Sequence, residues 1–404
     1  MYYGWRVVGV CFVAASFTWG FGVYGASVYL SHLSAARGWP VALVAGGVTA
    51  FYLANAASLA AVGSAVDRWG ARPLFIGGAA LLSLGIAAMG QVAAFWQLYA
   101  AFVMLGLGYA CLSLTGLTAA LSPWFERHQG RSVALALMGA SFGGMLVVPL
   151  LVLAIERFGF ARAMAGGAAL TAAVLIPLAA VVLRYRRPAE LGLLPDGVPA
   201  DPAAAAAPPP AARWTRREAM ATPAFWTACF AFAVGLAAQV GFFTHQVNFA
   251  RPLLGAEGAG WLAGATGFAN LLGRILLARI VDDVPVRRLA AAIFAVQAMV
   301  LAALAAAPTV AVLVTVSLIY GFCLGQITTL SPIVVRREFG AASFGAIYGI
   351  AATVIQLTSA LGPGIYGVLH DALGGYGPVL AAAAGVEVAA MAAMLLGKPP
   401  RRAI

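Results

Sequence analysis

In this 404-residue sequence the side chain that most needs a chemical explanation is Arg274. It lies mid-way through the apolar stretch WLAGATGFANLLGRILLARIVDD, and an arginine at the centre of a bilayer costs about 2.5 kcal/mol or more unless it faces a wet cavity or a partner. A guanidinium offers planar, paired N–H donors that match one carboxylate, so a single arginine suits a small monoanion. The other reading is a structural arginine paired with a buried acid or with helix carbonyls. Few acids are available for that: Asp282 and Asp283 lie two turns or more further on, and Glu387 is the only clearly mid-span acid. Asn270 stands one turn before Arg274 on the same helical face, where it can bond an anion or orient the guanidinium.

His245, with Asn248 nearby, falls in another apolar run. A histidine titrates near neutral pH, so this one can carry a proton or bond an anion; a buried histidine that is simply hydrogen-bonded explains it as well. Tyr24, Tyr109, Gln326 and Gln356 are further polar side chains inside apolar runs, placed either to line a small cavity or to serve ordinary packing. The four cysteines, Cys11, Cys111, Cys229 and Cys323, are far apart with no CxxC pairing and no adjacent histidine, which argues against a metal centre and for reduced packing residues. Gly20-Phe-Gly22-Val-Tyr-Gly25 matches GxGxxG but follows no strand, so it reads as close helix packing rather than nucleotide binding.

The elements that carry these residues follow from composition. Hydrophobic residues make up 63% and charged residues only 9% of the chain, with a mean hydropathy of +0.94; a soluble domain carries about 25% charged residues, so a soluble enzyme is ruled out. Apolar runs predict twelve spanning helices, over 5–31, 40–66, 73–91, 95–121, 131–156, 162–183, 222–249, 259–281, 288–306, 309–335, 343–369 and 376–397. The opening MYYGWR leads into an apolar stretch to Leu30, longer than a signal-peptide core of about 7–15 residues, and reads as the first span. Net charge is +11, but the basic residues are scattered between the runs rather than gathered into a nucleic-acid patch. With both termini on the cytoplasmic side, Arg37, Arg157, Arg162 and Arg251 fall outside and Arg274 within a span, leaving nineteen of the 24 basic residues inside. Lys398 is the only lysine, and the arginine and alanine bias hints at a GC-rich bacterial genome.

One long connection, 185–221, holds ELGLLPDG, five successive alanines and Pro208-Pro209-Pro210, and reads as a cytoplasmic linker between six-helix halves 1–184 and 222–404. An internal repeat supports the division: Asn55 precedes Asp67 by twelve residues, and Asn270 precedes Asp282 by twelve, at a common offset of 215. At that offset Arg274 corresponds to Leu59, so pseudo-symmetry does not require the cation.

After the second span the chain reads Gly63-Ser-Ala-Val-Asp67-Arg68-Trp-Gly70-Ala-Arg72, with a degraded copy around Asp282. Glycine allows close helix approach and a tight turn, while the acid and arginines can bridge neighbouring helix ends and lock one face. This pattern resembles the loop 2–3 signature of the major facilitator superfamily. YYGWRVV, WFERHQGRSVALALMGASFGG, ELGLLPDG and RREFGAASFGAIYG look like its monocarboxylate porter and oxalate/formate antiporter branch.

The resemblance implies an all-α membrane protein of two pseudo-symmetric six-helix bundles, enclosing a midplane site and working by alternating access. It implies a secondary transporter that moves a lactate- or pyruvate-like monocarboxylate with a proton, or otherwise an organic-anion exchanger of the oxalate/formate kind; a non-transporting receptor is the remaining class. Arg274, Asn270, His245, Tyr109, Gln326, Tyr24 and Gln356 are then the candidate binding residues, His245 and Arg274 the proton-coupling ones, and Gly63, Asp67, Arg68, Gly70, Arg72 and Asp282 the gating set. That branch often has Asp-x3-Arg where this chain has Asn270-x3-Arg274, so the resemblance does not carry a carboxylate proton relay over to that position. The expected partners are the small organic anion, the proton and the lipid bilayer, with no cofactor and no nucleic acid, in a monomer of a bacterial inner membrane.

Overall fold

In the computed structural model residues 2–126, 128–197, 214–281, 284–340 and 343–398 are described, and every regular element among them is a helix. Backbone polar groups in hydrocarbon have no water to bond, and a helix satisfies them within one segment, so apolar runs of this length settle on helix. Asp282 and most of the linker, 198–213, lie outside the described residues.

The chain divides into two compact units, Met1–Trp39 with Ala50–Ala206, and Pro40–Thr49 with Ala207–Ile404. The first holds α1 (Gly4–Thr18), a π-helical segment (Trp19–Tyr24), α2 (Gly25–Arg37), most of α3 (Val41–Trp69), α4 (Ala71–Met89), α5 (Phe95–Leu112), α6 (Leu114–Leu121), α7 (Gln129–Phe158) and α8 (Phe160–Val182). The second holds the short α9 (Arg216–Met220), α10 (Pro223–Ile280), α11 (Val286–Ala306), α12 (Val310–Phe339), α13 (Phe344–Ala360), α14 (Gly362–Leu373) and α15 (Tyr376–Leu396). The first turns of α3 group with this unit: Ala42 N donates to Asp371 Oδ2 at 2.8 Å, and Gly364 N donates to Thr49 Oγ1 at 3.0 Å.

Among the described residues eleven helical stretches are long and apolar enough to cross a membrane. One of them, Pro223–Leu277, has 55 residues; at 1.5 Å per residue that is about 80 Å, against a hydrocarbon core of about 30 Å, so it holds two crossings and the total is twelve. The loop expected between the seventh and eighth spans is therefore a sharp break inside α10 rather than an extended connection. Gly255 makes it, with φ 72° and ψ 179°, a conformation that only glycine adopts without strain.

Three other expected spans are interrupted. The first carries the π-helical segment, the fourth breaks at Ser113 (ψ −173°) between α5 and α6, and the eleventh breaks at Leu361 between α13 and α14. Pro363 explains the last, since it has no N–H to continue the ladder. The glycines of the GxGxxG match are helical and tightly packed: an added Cβ at Gly20 meets Val147 at 2.6 Å, and one at Gly25 meets the Tyr29 hydroxyl at 2.9 Å.

Three sequence motifs converge in the first unit. The Tyr2 hydroxyl donates to the Trp124 carbonyl at 2.8 Å, and Asp196 N donates to the same carbonyl at 2.9 Å. Asp196 Oδ2 accepts from Glu126 N at 3.0 Å and Oδ1 from His128 N at 3.2 Å, so ELGLLPDG caps the turn in WFERHQG. Burial, together with the nearby Asp196 charge, pushes the Tyr2 phenol up to about 12, which keeps it a neutral donor at any physiological pH.

At the matching end of the second unit, the buried Arg287 at the start of α11 donates through Nε and Nη2 to both carboxylate oxygens of Glu338 on α12. It also reaches Thr227 Oγ1 at 3.1 Å and the Ala224 carbonyl at 2.7 Å, both on α10. One side chain thus ties three helix ends together.

Candidate functional site

The site begins on the second half of α10, where Thr266, Asn270 and Arg274 recur every four residues and form one stripe. Arg274 Nε donates to Asn270 Oδ1 at 3.1 Å, and Nη2 donates to Thr328 Oγ1 of α12 at 3.3 Å. The Thr328 hydroxyl donates in turn to the Gly325 carbonyl at 3.1 Å, which leaves its oxygen facing the guanidinium. Both oxygens are uncharged acceptors, and these two bonds fix the direction of the guanidinium. Asn270 is buried, Arg274 is half-buried, and Thr328 is exposed, so the guanidinium does not sit in a sealed core.

Glycine makes this geometry possible. A Cβ on Gly325 overlaps Asn270 Oδ1 and lies 2.6 Å from Arg274 Cγ and 2.8 Å from Arg274 Nε. One turn earlier, a Cβ on Gly321 lies 2.6 Å from Thr266 Cγ2, and a Cβ on Gly273 overlaps the Phe322 carbonyl. The Gly321-x3-Gly325 face of α12 is thus the floor on which the α10 stripe lies, the small-residue mode of helix contact in membranes. Gly325→Ala is expected to push the helices apart and misplace the guanidinium. Anion binding at the guanidinium should weaken about tenfold or more, since misplacing a binding group by an ångström can cost a hundredfold, with a smaller loss in thermal stability; measuring both on the purified variant checks this.

Gln326 is buried beside this stripe, its Nε2 donating to the Phe322 carbonyl at 3.2 Å and lying 3.3 Å from the Cβ position of Gly273. Thr266 Oγ1 accepts from Gln246 Nε2 at 2.8 Å, so the first half of α10 joins the polar ladder. Asn270, Arg274 and Gln326 are therefore brought together. Thr266, Thr328 and Gly325 join them without having been singled out from sequence. The i, i+4, i+8 spacing of Thr266 and the GxxxG of α12 were the legible signals; nothing marked Thr328.

His245 belongs to a second cluster of the same unit. It is fully buried, with Nε2 3.0 Å from the Pro363 carbonyl and Nδ1 2.8 Å from the Tyr376 hydroxyl. A carbonyl only accepts, so Nε2 carries the hydrogen, and in the neutral ring Nδ1 accepts from Tyr376. Asn248 Nδ2 donates to that same hydroxyl at 2.6 Å. Gln356 is half-buried on α13, where its backbone carbonyl accepts from Ser359 Oγ at 3.0 Å.

Tyr24 and Tyr109 lie in the first unit. Tyr24, at the end of the π-helical segment, covers Gly144, whose added Cβ would lie 2.8 Å from its ring. Tyr109 packs on Trp19 and Phe51, each with ring centroids 5.1 Å apart, above Gly22. Of the gating set, the surroundings of Gly63 and of the Asp67 side chain lie outside what is described, as does Asp282. Arg68 and Arg72 are exposed, Arg68 with its guanidinium 5.7 Å from the Trp69 ring centroid. Gly70 has φ 86°, and Arg186 Nη2 crosses it to reach the Trp69 carbonyl at 2.7 Å.

Comparison with known proteins gives this geometry a context. The chain is 28% identical over 349 residues to Monocarboxylate transporter 11 of Homo sapiens, covering 81% of this chain and 69% of that protein. The Mus musculus protein of the same name is also 28% identical over 349 residues, covering 81% and 73%. Among solved structures, the nucleoside transporter NupG superposes with a TM-score of 0.75 at 12% identity, over 97% of this chain and 99% of that one, which speaks to fold alone. The family model described as Major Facilitator Superfamily matches residues 10–363. Twelve crossings, two units and that match together establish that the chain belongs to the Major Facilitator Superfamily.

Proposed function

We propose that the protein is a secondary active transporter that carries a small monocarboxylate, of the lactate or pyruvate kind, across a bacterial cytoplasmic membrane together with a proton, by alternating access. The observation that carries this reading is Arg274: a half-buried cation at membrane depth, oriented by the uncharged oxygens of Asn270 and Thr328. A guanidinium held this way is aimed, and its paired donors fit a carboxylate. The relatives named as monocarboxylate transporters support the same cargo class.

Within this reading Asn270 aims the guanidinium and Gln326 lines the site beside it, with Tyr24, Tyr109 and Gln356 as further binding candidates. The protein works as a monomer with both termini cytoplasmic. The loop with Gly63, Asp67, Arg68, Gly70 and Arg72, and its copy at Asp282, controls opening. Exchange of one organic anion for another is the second reading, favoured by the neutral Asn270, which supplies no acid beside the arginine.

Purified protein in proteoliposomes tests both. Under an inside-alkaline pH gradient it is expected to concentrate at least one labelled acid from the set lactate, pyruvate, formate and acetate. Counterflow of oxalate against formate with no response to the gradient would instead favour exchange. Inertness toward all five in both modes would remove the cargo assignment.

A further inference from the structure

Glu387 is fully buried in the middle of α15. Its Oε1 accepts one hydrogen bond, from the Tyr320 hydroxyl of α12 at 3.1 Å; its Oε2 is sealed from solvent with no partner. The titratable groups in electrostatic range are Tyr320 and Cys323 on α12 and Tyr366 on α14. The helix α11, packed along α15, brings only the amide of Gln297 in its stretch 289–306, and α10 brings the amide of Gln239 and His245, which is bonded elsewhere. Among the described residues no arginine, lysine or histidine bonds the carboxyl. An ionised carboxylate sealed from water without a cation is prohibitively disfavoured, so this conformation accommodates the neutral acid.

Polar side chains lie between this acid and a cavity of the same unit. Tyr366 ends in a buried hydroxyl with no partner, and its ring lies 5.6 Å from the His245 ring. His245 bonds Tyr376, and Tyr376, Asn248 and His370 line a cavity of about 350 Å³ at the end of the unit away from the linker. The sixth span, which corresponds to α15 in the first half, has no acid anywhere in 160–183. The buried acid is therefore no requirement of the fold, and an intramembrane acid of this kind calls for a function.

We propose that Glu387 is the proton-binding site of this transporter, reached from the Tyr376 cavity past His245 and Tyr366, and that it supplies the carboxyl that Asn270 does not. The proposal rests on the monocarboxylate reading. With cargo on Arg274 and a proton on Glu387 the pair of sites is neutral, and with both empty it is neutral again in a conformation that opens the Glu387 carboxylate to water. Either ligand alone leaves one unit of charge within the membrane interior, which disfavours the half-loaded states and couples the two fluxes.

The test uses purified protein in proteoliposomes, with labelled L-lactate, pyruvate, formate and acetate as probes. A one-unit gradient sustains about tenfold accumulation in one-to-one symport. Wild-type protein is expected to approach that ratio. Glu387→Gln is expected to exchange labelled acid in counterflow but not to concentrate it, and Glu387→Asp, which keeps a titratable group, to concentrate it in part. Wild-type accumulation by Glu387→Gln overturns the proposal, and so does loss of both modes by a folded Glu387→Gln protein. Should that variant not fold, Tyr320→Phe decides: a shifted pH profile of gradient-driven uptake with counterflow retained supports the assignment, and an unmoved profile overturns it. Wild-type protein inert in both modes overturns the cargo reading itself, and this proposal with it; gradient-driven uptake equal in wild type and Glu387→Gln overturns this proposal alone.

Discussion

Replacing Arg274 by alanine is expected to abolish monocarboxylate transport while leaving a folded protein. Losing one partner of a desolvated, hydrogen-bonded charge pair costs about 2–5 kcal/mol, roughly thirtyfold or more in affinity. No second cation stands in the spans to compensate, because every other basic residue falls in a connection or near a helix end. The fold should survive because the guanidinium is only half-buried and the helix contact beneath it is made by Gly273, Gly321 and Gly325. The variant does remove the Arg274 Nε bond to Asn270 Oδ1, a loss of about 1 kcal/mol that should show as a modest fall in thermal stability. Arg274→Lys keeps the charge but not the fork, and should fall between the two. Uptake assays beside size-exclusion profiles read out all three proteins; normal transport by the alanine variant would place the site elsewhere.

The largest effect on stability is expected at Arg287. Arg287 and Glu338 have side-chain exposures of only 9% and 6%, and the pair ties the starts of α10 and α11 to the end of α12. Arg287→Met leaves the Glu338 carboxylate buried without its cation, and breaking a buried pair from one side costs about 3–5 kcal/mol. Replacing both, Arg287→Met with Glu338→Leu, removes the orphaned charge and should recover most of that loss. Thermal unfolding of the two single variants and the double variant in detergent gives the coupling; a double variant no more stable than the worse single one would contradict it.

How much could be read in advance depended on how local the signal was. Apolar run length and the positions of arginine predicted the twelve crossings, yet the break between the seventh and eighth depends on one backbone conformation at Gly255, which composition does not encode. The pairing of Asn270 with Arg274 was legible because both lie four residues apart on one helix. The partners of His245 were not: Pro363 and Tyr376 are 118 and 131 residues away, and only the packing of α14 and α15 against α10 brings them there. Asp196 is a similar case, since ELGLLPDG stood out as a motif while its role, holding the Glu126 and His128 amides, required the folded turn. Gly325 was visible only as half of a GxxxG pair, and its closeness to the arginine follows from helix register.

The central claim, that Arg274 receives the carboxylate of the cargo, is tested most directly by comparing lactate with lactamide, which share a shape but differ in charge. Thermal stabilisation of the purified protein is expected with lactate and not with lactamide, and it is expected to vanish in Arg274→Ala. Equal stabilisation by the two compounds, or an undiminished lactate response in the alanine variant, would contradict the assignment.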